Sequence, residues 1–214
     1  MKNRFPFEVD ASRILCENDF EDTLNGWEAR GPEEDHFEYS KYRVRAELSD
    51  EEAHTGKQCL KVSGRTKHWN GATINITDYL LDGEREYEAA VWVKIPEGCT
   101  SCRVQLSLQA ISVLMGTDFP HYTMWDDYSS NGYKLSKFRL PTSAANVAWI
   151  DQPGHWDLRY PKDRVTDDGW VLLHGRLTID KNRYKSFHIY IETTESSAGD
   201  QDIYIDDFVL LIGE

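Results

Sequence analysis

Hydrophobic and polar residues alternate with a period of two along much of the chain. Between Arg103 and Ser112, Val104, Leu106, Leu108 and Ala110 fall on one side and Gln105, Ser107 and Gln109 on the other. Ser186–Thr193 repeats the pattern, with Phe187, Ile189 and Ile191 against His188, Tyr190 and Glu192. Glu86–Ile95, Gln58–Val62, Ala72–Ile76, Trp170–Ile179 and Asp202–Leu211 are β-branched or aromatic and bounded by Gly, Pro, Asn or Asp. Val9–Cys16 and Tyr39–Leu48 add two more candidate strands. No segment shows an amphipathic helical period capped at both ends, and a parallel α/β arrangement needs such helices as connections. The pattern therefore predicts one all-β domain spanning residues 1–214, an antiparallel β-sandwich of jelly-roll type with about eight to ten short strands.

One stretch, at about 113–164, breaks the rhythm. Structureless loops longer than about 12–15 residues are uncommon in compact domains and are usually functional. This one carries Trp125, Trp149, Trp156, Tyr122, Tyr128, Tyr133 and Tyr160, too aromatic a composition for disorder. It is expected to be a folded insertion lying on the sandwich, with room for an extra hairpin.

Composition narrows the ligand. The net charge of -13 argues against nucleic acid, whose phosphates are bound through Lys and Arg, and against anionic membranes and anionic polysaccharides. Neutral ligands, held by stacking and hydrogen bonds, remain. No apolar run is long enough to span a bilayer. The N-terminal residues start basic but have no apolar core of a signal peptide, as expected both for a module of a longer secreted protein and for a cytoplasmic one. Cys99 and Cys102 form a C-T-S-C pair with no second ligand pair at zinc-finger spacing. A tight bridge and four reduced thiols both fit. No Gly-x-Ser-x-Gly, His-Glu-x-x-His or phosphate loop is present, and no pair of carboxyls stands out for glycoside hydrolysis.

Four stretches, in order, carry a resemblance. They are Asn18–Glu21 followed by Gly26-Trp27 and Arg30-Gly31; Thr55–Ser63 running into Gly64-Arg-Thr-Lys-His-Trp-Asn-Gly71; Tyr87–Val93 after the turn Leu81-Asp-Gly-Glu84; and Tyr204–Leu210. Together they resemble the family 22 carbohydrate-binding modules, within the wider group of families 4, 9 and 22. The resemblance covers the chain outside the insertion and the extreme N-terminus. The long insertion is its departure, since modules of that family are typically shorter there.

The resemblance implies non-catalytic binding of a neutral β-linked plant cell-wall polysaccharide, xylan first. It further implies a monomeric module of a larger secreted or cell-surface protein, tethered to a catalytic domain of xylanase type. A sugar presents flat C–H faces and a hydroxyl rim, so its site needs an exposed aromatic plane beside polar groups. The polar faces already noted supply Gln105, Gln109, His188, Tyr190 and Glu192, and His174 and Arg176 join them if that strand shares their sheet; a merely solvated sheet face is the competing reading. Trp69, in a polar turn, matches the family's stacking residue, while Arg30 and Glu192 match its hydrogen-bonding Arg and carboxylate. Trp156 and Tyr160 are the expected replacements for a family Tyr displaced by the insertion. A structural calcium is implied as well, with Glu21 and Asp206 as ligands and main-chain oxygens near Asp19 and Lys57. Two other classes compete: a jelly-roll lyase or glycosidase with the insertion as lid, and a protein-interaction or adhesion module.

Overall fold

The computed structural model describes residues 4–30, 44–67, 69–94, 103–112, 120–129, 166–193 and 201–214, with the backbone alone at 103, 111–112 and 120–129. The strands are β1 (Ile14–Asn18), β2 (Trp27–Arg30), β3 (Arg45–Ser49), β4 (Cys59–Ser63), β5 (Gly71–Asn75), β6 (Glu84–Lys94), β7 (Arg103–Ser112), β8 (Pro120–Ser129), β9 (Trp170–Asp180), β10 (Tyr184–Thr193) and β11 (Ile203–Ile212). They form two antiparallel sheets. A six-stranded sheet runs β3-β4-β11-β6-β9, with β1 also paired to β11, and a five-stranded sheet runs β2-β5-β10-β7-β8. The predicted all-β sandwich is what forms.

Two strands were not foreseen. β2 has four residues, too short for a period of two to register. β8 lies inside the predicted insertion and adds the fifth strand of its sheet, pairing with β7; the register slips at Trp125, between the pairs Leu106–Asp126 and Ser107–Met124. Of the Tyr39–Leu48 candidate, residues 39–43 lie outside the described residues, and the strand observed is β3. The Val9–Cys16 candidate begins late: Asp10 accepts the Ser12 amide at 2.8 Å and starts a short 3-10 turn over Ala11–Arg13 before β1 opens.

The inner faces meet in one apolar layer. Ile74, Leu106, Leu108, Phe187, Ile189 and Ile191 come from the five-stranded sheet; Leu60, Tyr87, Val91, Leu173, Phe208 and Leu210 come from the other. Strand β11 keeps its apolar residues inward only by a change of phase. Ile203 and Ile205 point in, then Phe208 and Leu210 do, and the bulge between them places Asp207 at φ 48, a left-handed conformation that Asp tolerates.

The outer face of the six-stranded sheet is also apolar. Trp92, Trp170, Leu172, Val209 and Leu211 form a second cluster there, covered by Phe5, Phe7 and Val9 of the N-terminal segment. Trp92 donates its indole N–H to the Arg4 carbonyl at 2.8 Å. Its burial comes from this strap and not from the layer between the sheets.

The same face holds a charged cluster that corrects one expectation. His174 and Arg176 do not join the polar face of β7 and β10; they lie in the other sheet, around Glu88. Arg13 reaches Glu88 at 2.9 Å, His174 at 2.5 Å and Arg176 at 3.5 Å, and Arg13 also donates to the Ile212 carbonyl at 2.9 Å. Burial raises the Glu88 pKa, but the hydrogen bond and charge of His174, with Arg176 and Arg13, outweigh it and set it at about 2. A carboxyl whose pKa falls on folding contributes stability above its ordinary pKa of 4.5 and loses it as pH falls toward 2. Acidification through that window should cost about 3 kcal/mol from this group alone, at about 1.4 kcal/mol per unit. Urea unfolding at a series of pH values should show that loss, and Glu88→Gln should flatten it.

Candidate functional site

Strand β10 is the middle strand of the five-stranded sheet, so its side chains alternate between the core and the outer face. Phe187, Ile189 and Ile191 point in, leaving His188, Tyr190 and Glu192 to point out. The register pairs Glu192 with Gln105, Tyr190 with Ser107 and His188 with Gln109 on β7. On the other side Tyr190 pairs with Thr73 of β5, Thr73 with Glu28 of β2, and Gly71 with Arg30. Directly paired residues share a face. Arg30, Gln105, Gln109, His188, Tyr190 and Glu192 are thus brought together on one side of one sheet.

Glu192 is the most constrained of them. Its side chain is only 7% exposed, Arg30 Nη1 donates to Oε2, and Gln105 Nε2 donates to Oε1 at 2.7 Å. Burial raises its pKa, opposed by the Arg30 charge and the Gln105 hydrogen bond. The Arg30 guanidinium also lies over the Tyr190 ring, 3.9 Å from its centroid, a cation–π contact. Burial pushes the Tyr190 phenol up and the His188 imidazole down, so both are neutral hydrogen-bonding groups near pH 7. The two rings lie nearly parallel, at 19° and 6.3 Å.

Trp69 reaches this end of the sheet on a braced loop. Arg65 is buried, its Nε donating to the Asn70 carbonyl at 2.8 Å and its Nη1 to the Gln201 carbonyl at 2.6 Å. Asn70 Oδ1 accepts the amides of Thr66 at 3.0 Å and Lys67 at 2.9 Å, closing the turn that carries Trp69. Gly71 then begins β5 against β10; a Cβ there would stand 2.0 Å from the Ile191 carbonyl oxygen, so only glycine allows the approach. Trp69 itself is half-buried. Trp156 and Tyr160 lie outside the described residues.

A family model described as "Carbohydrate binding domain" matches residues 12–126, more than half of the chain. The chain belongs to that family of carbohydrate-binding domains. Among its relatives, endo-1,4-beta-xylanase A of Thermotoga maritima is 35% identical over 196 residues, covering 91% of the module and 14% of the relative. Endo-1,4-beta-xylanase C of Paenibacillus barcinonensis is 25% identical over 189 residues, covering 88% and 13%. The module spans 10–16% of the length of the curated relatives it matches. Its fold is that of the CBM22-1 xylan-binding domain of Paenibacillus barcinonensis Xyn10C (TM-score 0.61, 22% identity, 93% and 94% of the two chains). It is equally that of the C-terminal family 22 module of Clostridium thermocellum Xyn10B (TM-score 0.63, 20% identity, 95% and 97%).

Two of the expected calcium ligands, Glu21 and Asp206, accept hydrogen bonds from a single loop of the module. Glu21 Oε1 accepts the amides of Lys57 at 2.7 Å and Gln58 at 3.0 Å, and a Cβ on Gly56 would stand 2.2 Å from that oxygen. The Asp19 side chain accepts the Glu21 amide at 3.3 Å. Asp206 is fully buried, accepting the His54 amide at 2.8 Å and the Thr55 amide at 3.2 Å. Burial first, then the charge of Asp207, pushes its pKa up to about 8. Loop 54–58 thus receives both carboxylates, which are hard oxygen donors of the kind calcium takes. Among the described residues no three His, Cys, Asp or Glu side chains group as a metal site.

Thr73 and Glu28 went unrecognised as members of the outer face. Thr73 is the polar alternate of an apolar strand, a signal present in the sequence; Glu28 sits on the short β2, where there was none. The Arg30–Glu192 pair gives a direct test. Removing one partner of a buried ion pair costs about 3–5 kcal/mol, because the other charge stays buried. Arg30→Ala should therefore lower the unfolding free energy by about 3 kcal/mol. Glu192→Gln in the same chain should restore most of it in urea titrations.

Proposed function

We propose that the module binds a neutral β-linked plant cell-wall polysaccharide, xylan foremost, on the outer face of the five-stranded sheet. The observation that carries this reading is the network in which Arg30 and Gln105 hold Glu192 beside Tyr190, with Trp69 on a braced loop at the same end. An aromatic plane takes a sugar's C–H face, while fixed polar groups take its hydroxyls. Arg30 offsets the charge of Glu192, which suits a neutral ligand in a chain of net charge -13.

The relatives named as xylanases favour xylan, and family membership favours non-catalytic binding over both the lyase or glycosidase reading and the adhesion reading. The module would act as a monomeric part of a longer secreted protein. There, tethering raises the local concentration of an attached glycoside hydrolase on its substrate. Gln109 and His188 extend the polar face, and Trp156 and Tyr160 are proposed as further ligand contacts.

Affinity electrophoresis against xylan, mixed-linkage glucan, mannan and cellulose tests the reading, with a reducing-sugar assay alongside. Retardation by xylan with no sugar released is the expected result; migration unchanged in every gel would overturn it. Trp69→Ala should weaken xylan binding at least tenfold, since an aromatic hot spot contributes about 2 kcal/mol or more and each decade is about 1.4 kcal/mol.

Calcium is proposed as a structural ligand of Glu21 and Asp206, with main-chain oxygens near Asp19 and Lys57. Its chemistry would be to neutralise these carboxylates and tie loop 54–58 to β11. A ligand bound only to the native state stabilises it by mass action. Chelator should therefore lower the melting temperature, and Glu21→Ala should remove that response. An identical melting curve after confirmed metal removal would exclude the site.

A further inference from the structure

Three segments of the chain meet on one buried cation that stands behind the polar face of β10. The Arg65 guanidinium donates from Nε to the Asn70 carbonyl at 2.8 Å, from Nη1 to the Gln201 carbonyl at 2.6 Å and from Nη2 to Thr193 Oγ1 at 2.5 Å. Asn70 follows Trp69 in the chain, and Thr193 follows Glu192. We propose that Arg65 is a positioning residue for the polysaccharide site. By tying the turn that carries Trp69 to the strand end that carries Glu192, it fixes the spacing between stacking ring and carboxylate, so that both engage one sugar chain together.

Arg65 works from the inner side of the sheet. Glu192 stands on the outer face, so the next side chain on β10 turns inward. Thr193 is buried and pairs in register with Val104, a core residue of β7. The tie therefore reaches the site through the strand itself and leaves the outer face open to a ligand. Arg65 also acts on the carboxylate through its charge: burial raises the Glu192 pKa, and Arg65 joins Arg30 and Gln105 in opposing that rise.

The chemistry asks for arginine. Acceptors on three segments need donors spread over a rigid planar fork, which a guanidinium has and the compact ammonium of lysine lacks. A ring and a carboxylate already held at a fixed spacing lose little further freedom when a ligand arrives, so the tie favours binding without touching the sugar. That the ligand is xylan rests on the proposed function.

NMR titration with xylohexaose tests this in the parent, Thr193→Val, Thr193→Ser, Trp69→Ala and the Thr193→Val/Trp69→Ala pair, with urea unfolding of each. Valine keeps the branched shape and removes the hydroxyl; serine keeps the hydroxyl. Thr193→Val should weaken binding about fivefold, which is about 1 kcal/mol at about 1.4 kcal/mol per decade. It should also displace the Trp69 indole resonance in the free protein, while Thr193→Ser leaves both as in the parent. In the Trp69→Ala background the valine should change affinity by less than about twofold, because the ring through which the tie acts is gone. Its cost in unfolding free energy should be the same in both backgrounds, which separates positioning from general destabilisation. Should Thr193→Val not fold, Arg65→Lys takes its place in the same comparison. An equal loss of affinity in both backgrounds, or an unchanged Trp69 indole resonance in Thr193→Val, would overturn the role of Arg65 and leave the binding face standing. No response to xylohexaose in the parent would overturn the proposed function instead.

Discussion

Strand β10 has to serve two environments at once, and the fold and the face both follow from how it does so. As the middle strand of its sheet it cannot expose either edge, and its inward side chains, Phe187, Ile189 and Ile191, close the core against the opposing sheet. Every alternate side chain must then stand on the outer face. That places His188, Tyr190 and Glu192 in a row flanked by paired residues from β5 and β7. A carboxylate in so enclosed a position needs compensation. Arg30 and Gln105 supply it, and in doing so they fix the geometry of the polar face.

The opposite sheet solves a different problem. Its outer face carries an apolar patch of Trp92, Trp170, Leu172, Val209 and Leu211, which Phe5, Phe7 and Val9 of the N-terminal strap cover. The strap is anchored by the Trp92 indole at one end and by Arg13 on Glu88 and Ile212 at the other. Strand β11 meets this arrangement only because its bulge at Asp206 and Asp207 shifts the alternation by one residue, and the two carboxylates left at the bulge are met by loop 54–58. Bulge, loop and strap therefore form one connected unit. It stands with the six-stranded sheet, away from the polar face of β10.

Much of the fold was legible in the sequence. Period-two alternation marked β7 and β10 in register with their true faces, because each has one dry side and one polar side. It marked β6 and β9 less informatively, since apolar residues on both faces blur the period, and it missed β2 and β8. The polar partners of Glu192 were legible only in part. The alternation put Gln105 and Glu192 each on an outer face, and the family resemblance carried by Arg30-Gly31 pointed to Arg30. Nothing in either placed Gln105 and Arg30 on the two oxygens of one carboxylate.

By itself the sequence determined the local periods: which residues are extended and which side of each strand is dry. Tertiary structure decided which strands are neighbours. His174 and Arg176 alternate with inward residues on β9 just as His188 and Tyr190 do on β10, yet they belong to the other sheet and surround Glu88 instead of joining the polar face of β10. Trp92, inside an alternating strand, is buried by the N-terminal strap and not by the facing sheet. The reason is physical. A side chain's face is set by the backbone period, which is local, whereas its partners are set by sheet order, which depends on the packing of segments far apart in the chain.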